Sequence, residues 1–123
     1  MAMATKSLRE QILQYATRKY STAPEYLWAR YPTYAVLRRN DNRKWYGVIM
    51  NVPRMRLGLD GNENVDILNI KCDADFYDFL RGENIILRGY HMGGTWGSVL
   101  LDGTVKINQI YALLDNSYKL VGK

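Results

Sequence analysis

Residues 90–103, YHMGGTWGSVLLDG, constrain this chain more than any other stretch. They contain its one histidine, His91, then a Gly93-Gly94 pair, a strand-like run opened by Trp96, and a closing Asp102-Gly103 turn pair. Glycine tolerates backbone angles that other residues avoid, so the pair predicts an irregular corner that fixes where a buried strand begins. In that strand Trp96 and Leu100 share one face, and Val99 and Leu101 the other. Trp96 is therefore expected to be structural, its replacement by alanine costing about 3–5 kcal/mol if the ring is buried. Nothing in the stretch spells out a reaction.

The remaining elements follow from period and punctuation. Ser7-Leu8-Arg9-Glu10 fits a capping box. Leu8, Ile12, Tyr15 and Ala16 then recur at helical spacing, predicting a helix over residues 7–19 that Pro24 cannot continue. Residues 24–34 are aromatic without a clean period and suggest a packed loop with a helical turn near residues 26–29. Residues 34–39 alternate, Tyr34 and Val36 on one face, Ala35 and Leu37 on the other; Asn40-Asp41-Asn42 turns, and residues 44–51 resume as a strand. Residues 65–71 predict a third strand, apolar on both faces, and Asp73 caps a second helix carrying Phe76, Phe79 and Leu80, with Gly82 as its stop. Strands are expected over residues 85–90 and 96–101. A final helix carries Ile107, Ile110, Tyr111, Leu114 and Tyr118 on one stripe. The order α-β-β-β-α-β-β-α predicts an α+β, two-layer domain: an antiparallel sheet with helices packed on one face.

With 123 residues and no linker or repeat, one domain over residues 1–123 is expected. A single cysteine, Cys72, makes no internal disulfide and favours a reducing compartment. The opening MAMATKSLRE lacks an apolar signal core, and no run approaches the roughly 20 apolar residues of a membrane helix. The expectation is a soluble, cytoplasmic protein.

Few constellations support catalysis. One His and one Cys do not make a zinc site. Asp73, Asp75 and Asp78 crowd a helix start, where the dipole favours them, and do not follow the calcium-loop pattern. Ser98 lies inside a strand, not on a nucleophile elbow. Cys72 reads as a small buried thiol, and His91 has no carboxylate placed beside it by sequence, so it is expected to be dispensable for turnover. No cofactor, metal or catalytic residue is expected. The charge is more suggestive. Residues 1–50 hold nine Lys/Arg against three Asp/Glu, a balance of +6, within a net charge of +5. Arg38, Arg39, Arg43 and Lys44, interleaved with Trp45 and Tyr46, could grip phosphates and stack bases from the first hairpin. Solvent-facing Arg38, Arg43 and Trp45 would favour an anionic partner, an exposed apolar sheet face a protein partner, and a closed pocket around His91 an enzyme.

Five segments in order, YLWARYPTYAVLRR, DNRKWYGVIMNVP, LNIKCD, YHM…W…VLLDG and SYKLV, resemble the MmcQ/YjbR family over residues 24–121. The resemblance implies a small bacterial cytoplasmic protein with this same element order, likened to secretion chaperones and frataxin-type domains. It also implies a DNA-binding role, and no agreed catalytic residues. Relatives usually carry an Asn-Lys pair and often a second His after the His-Met; here Gly93, Gly94 and Thr95 stand instead. The expected function is weak, largely sequence-independent, non-enzymatic DNA binding, with a protein-interaction or chaperone-like module as the alternative.

Overall fold

Local capping sets the helix starts. In the computed structural model, which describes residues 6–122, the Ser7 side chain accepts from the Glu10 N–H at the start of α1 (Leu8–Tyr20). The Asp73 side chain accepts from the Phe76 N–H at the start of α2 (Ala74–Gly82). Each satisfies one of the first-turn donors that a helix leaves unpaired. The third helix, α3 (Ile107–Leu120), has no side-chain cap and is held by its buried stripe, Ile110, Leu113, Leu114 and Ser117. The first five residues of the segment read for a signal core lie outside the described residues.

The strands are β1 (Ala35–Arg38), β2 (Trp45–Pro53), β3 (Asn64–Lys71), β4 (Leu87–Arg88) and β5 (Trp96–Leu100), with a short 3₁₀ helix at Arg54–Leu57. They form one sheet in the order β1-β2-β3-β5-β4, every neighbouring pair antiparallel. All three helices cover one face, burying Ala35, Leu37, Ile49, Leu68, Ile70 and Val99 beneath Ile12, Ala16, Leu80 and Leu114. The expected α+β class, element order and one-sided helix layer are what the chain adopts.

The opposite face is not open. Val36, Val48, Met50, Val52, Val65 and Ile67 form a second core, roofed by Trp28, Tyr34, Tyr90 and Met92 from loops and by Leu57 at the end of the 3₁₀ helix. Trp28 stands edge-on to both Tyr34 and Trp45, at 6.0 and 5.9 Å between centroids. The helical turn expected near residues 26–29 is absent. Instead Glu25 exchanges both backbone hydrogen bonds with Val36 (3.0 and 2.8 Å), and turns follow. The loop thus runs along the outer edge of β1 and satisfies backbone groups that an edge strand would leave bare.

Two local irregularities seat α3. Leu37 pairs with Gly47 but Arg38 pairs with Trp45, so Tyr46 is the extra residue of a β-bulge. The bulge turns Tyr46 toward the helices beside Gly47, whose absent Cβ leaves room for Leu114. The Tyr46 hydroxyl meets Thr22 Oγ1 at 2.5 Å, and burial pushes its pKa up to about 12. Beyond the Val48–Asn69 pair the β2–β3 ladder opens, and the buried Ser117 hydroxyl enters the gap. It donates to the Tyr46 carbonyl (2.8 Å) and accepts from the Lys71 N–H (2.9 Å).

The first and third helices, α1 and α3, are joined through Asp115, which accepts from the Tyr15 and Tyr20 hydroxyls (2.6 and 2.5 Å) and from Lys19 Nζ (2.9 Å). Burial alone would raise the Asp115 pKa, but these three donors outweigh it and hold the carboxyl below its ordinary value of 3.8. A folded-state pKa below the unfolded one gives stability that is complete above the unfolded value and lost as pH falls through the folded one. The melting temperature of the wild type should therefore exceed that of Asp115→Asn by a constant margin above about pH 5, and the margin should shrink below about pH 3. An unchanged margin down to about pH 2 would refute this role of Asp115.

Candidate functional site

The hairpin that carries the sequence's densest cations is largely occupied with holding the fold. Arg39 grips Asp41 through two bonds (2.9 and 2.6 Å), donates to the Tyr118 carbonyl (2.8 Å) and lies 4.0 Å over the Tyr118 ring. A cation there also complements the carboxyl end of α3. Asn40 and Asn42 donate to backbone carbonyls of Tyr20, Ser21 and Val121, so the turn docks on the ends of α1 and α3. Glu25 collects two more arginines: Arg38 Nε approaches its Oε2 to 2.9 Å, an ion pair off hydrogen-bond alignment, and Arg43 Nη2 donates to the same oxygen at 3.1 Å. Arg38 also sits 5.6 Å over the Trp45 ring. Trp45 is half-buried against the second core, Tyr46 is wholly buried, and Lys44 is exposed. Of the six hairpin residues, Arg43 and Lys44 alone present mainly to solvent, and Tyr46 cannot stack on a base.

The corner after β4 is built differently. Of the six residues expected to extend, only Leu87 and Arg88 pair with β5. Gly89 donates to the Trp96 carbonyl (3.0 Å), and a Cβ on Gly89 would lie 2.6 Å from that oxygen, so only glycine passes. Tyr90 then leaves the ladder for a buried polar pair. Asn69 and Ser98, fully buried and directly opposite each other on β3 and β5, face away from the helices. The Tyr90 N–H donates to Ser98 Oγ (2.9 Å), Ser98 Oγ donates to Asn69 Oδ1 (2.5 Å), and Asn69 Nδ2 donates to the Tyr90 carbonyl (3.1 Å). The ring of bonds closes on itself. His91 follows with φ of 57°, in the left-handed region, its ring edge-on to Tyr90 at 4.2 Å. Trp96 is half-buried and belongs to neither core, so the condition attached to its expected cost is only partly met.

Two open depressions flank this corner and share Arg56, Tyr90 and His91. One, of about 340 Å³, adds Arg81 and Arg88. The other, of about 330 Å³, adds Tyr31, Tyr34 and Asn64. Neither lining contains a carboxylate. Arg56 and Arg88 have no ion-pair partner among the described residues, and Arg81 donates only to the Tyr77 hydroxyl (2.9 Å). The arginines come from the 3₁₀ helix, the end of α2 and β4, so no run of sequence announces them. Chemically this is a concentration of guanidinium forks beside aromatic rings, suited to phosphate oxygens and planar groups. Elsewhere, burial pushes the Cys72 thiol up to about 11, which keeps it a thiol at neutral pH. Among the described residues no three His, Cys, Asp or Glu groups gather as metal ligands, and no helix is long and apolar enough to cross a membrane.

Comparison with known proteins gives one consistent answer. The YjbR family model matches residues 17–120. An uncharacterised protein of Bacillus subtilis, YyaQ, is 47% identical over 113 residues, covering 91% of this chain and 96% of that one. The crystal structure of a Pseudomonas syringae protein matches with a TM-score of 0.87 at 36% identity, over 91% of this chain and 97% of its own. A Deinococcus radiodurans protein with a DUF419 domain shares the fold at a TM-score of 0.71 and 22% identity, over 94% and 78% of the two chains.

Ser98→Ala tests how the corner is held. It leaves the Tyr90 N–H and Asn69 Oδ1 without their partner, and a buried unsatisfied polar group costs about 1–3 kcal/mol. Urea melts should register that loss, and Asn69→Ala added to Ser98→Ala should cost less than the two single losses combined. Full additivity would mean that the two side chains do not act as one unit.

Proposed function

This chain belongs to the YjbR family, and within that frame we propose that it binds DNA weakly and largely without regard to sequence. The observation that carries the reading is the gathering of Arg56, Arg81, Arg88 and His91 around one depression without a carboxylate. The binding surface is this depression, with the hairpin turn at most a secondary contact, because Arg38, Arg39 and Arg43 are each engaged by Glu25 or Asp41. An arginine freed of protein carboxylates keeps its full attraction for phosphate, while one already paired must first exchange partners. The sheet face that a protein partner would have used is roofed by Trp28, Tyr34 and Tyr90. The reading is non-enzymatic: His91 rests on Tyr90, and its surroundings supply no carboxylate to orient it as an acid or base. Sequence independence follows from the contacts, since guanidinium groups on phosphate carry no base information.

Titration of labelled single- and double-stranded DNA at several salt concentrations tests the reading. Three arginine–phosphate contacts give a log–log salt slope of about −2 on single strands and about −3 on duplex. Arg56→Glu with Arg88→Glu should abolish binding, and Arg43→Glu with Lys44→Glu should leave most of it. The reverse ranking would return the site to the hairpin. Absence of binding by the wild type at low salt would replace the reading with the protein-interaction one, for which exposed Tyr26, Leu27, Tyr31, Met55 and Phe79 are the available contacts.

A further inference from the structure

The two depressions beside His91 share a wall and differ in chemistry. One is lined by Arg56, Arg81 and Arg88. The other is lined by tyrosines and Asn64. Each is at the small end of the roughly 300–1,000 Å³ range of ligand pockets. Tyr31 is 46% exposed and stacks on Tyr34, with centroids 4.8 Å apart and planes 9° from parallel. A planar ring added to Tyr31 would extend that stack.

Asn64 supplies direction through a chain of hydrogen bonds whose polarity has one solution. Asp66 is held by Arg9, with Nη2 to Oδ1 at 3.1 Å and Nε to Oδ2 at 3.3 Å. An ionised carboxylate only accepts, so Asn51 must turn its Nδ2 to Asp66 Oδ1 (2.9 Å). That leaves Asn51 Oδ1 to accept from Asn64 Nδ2 (2.9 Å). The Asn64 Oδ1 is then the end of the chain and has no donor among the described residues. Asn64 lines the tyrosine depression, and an amide oxygen left as an acceptor there is complementary to the N–H groups on the edge of a nucleobase.

We propose that the paired depressions form a binding site for one nucleotide. The phosphate lies among Arg56, Arg81 and Arg88, and the base stacks on Tyr31 with an N–H donated to Asn64 Oδ1. The inference rests on the DNA-binding reading and deepens it, because a base can reach Tyr31 only when it is unstacked. The ligand class is therefore a nucleoside phosphate, and in a polymer an end or an unpaired nucleotide of a single strand.

The test is calorimetric titration of the full chain with deoxyadenosine 5′-monophosphate, deoxyadenosine and inorganic phosphate. Base stacking on an aromatic side chain should make the nucleotide bind about tenfold or more tightly than phosphate. Tyr31→Ala should reduce the nucleotide to the level of phosphate without changing phosphate itself. Tyr31→Phe should restore the advantage, and Arg88→Glu should remove both ligands. A nucleotide that binds no better than phosphate, or an advantage that survives Tyr31→Ala, overturns the base subsite. In that event oligonucleotide binding lost on Arg56→Glu with Arg88→Glu would leave the broader reading standing, whereas no binding of either nucleotide or oligonucleotide removes both.

Discussion

The closed ring of hydrogen bonds among Asn69, Ser98 and Tyr90 is the constraint on which the side of the sheet away from the three α-helices depends. Asn69 and Ser98 lie in the middle of the sheet, fully buried and so sealed from bulk solvent. A polar pair so placed is destabilising unless each group finds its partner. Here the partners are the N–H and the carbonyl of one residue, Tyr90, so the cheapest way to bury the pair is to hold the chain at a single point. That point ends the β4–β5 ladder early. It lets Tyr90 and Met92 fold back over the second core and puts His91 at the rim. Arg88, just before the corner, then faces the same depression as Arg56 and Arg81.

The two sides of the sheet divide the labour. On the helix side, packing is completed by the bulge at Tyr46 and by Ser117, whose hydroxyl occupies the gap between β2 and β3. The cation-rich hairpin belongs to this structural side. Its arginines neutralise Glu25 and Asp41 or stack on Tyr118, and its asparagines fasten the turn to helix ends. On the other side, loops and the short 3₁₀ helix rather than α-helices close the core, and arginines with no acidic partner among the described residues, Arg56 and Arg88, line the openings there. Net charge by sequence position and unpaired charge in space therefore point to different surfaces.

Much of the fold was legible because it rests on local rules. Ser7 and Asp73 cap the helices they precede, and the alternation of Tyr34 and Val36 against Ala35 and Leu37 correctly separates the two cores. The resemblance to the YjbR family agrees with the family match. What escaped depends on contacts distant in sequence. A bulge looks like ordinary strand until the partner's register is known, so Tyr46 reads as a ring that could stack on a base when it is wholly buried against the helices. The run over residues 85–90 has strand composition, but its backbone is captured by Asn69 and Ser98 from other strands. Residues 26–29 have no helical period, and the Glu25–Val36 pairing that shapes their loop is a tertiary event. Arg56, Arg81 and Arg88 come together from three elements, inside a part of the chain whose overall charge is close to balanced.

Amide hydrogen exchange at Tyr90, followed by NMR, tests the central claim most directly. Residues outside regular structure ordinarily exchange fast, and Gly94, in the same corner, should do so. If the buried ring of bonds holds the corner, the Tyr90 N–H is protected to the level of the β3 and β5 amides, and Ser98→Ala removes that protection while the strands keep theirs. A Tyr90 amide that exchanges as fast as that of Gly94 in the wild type would contradict the account.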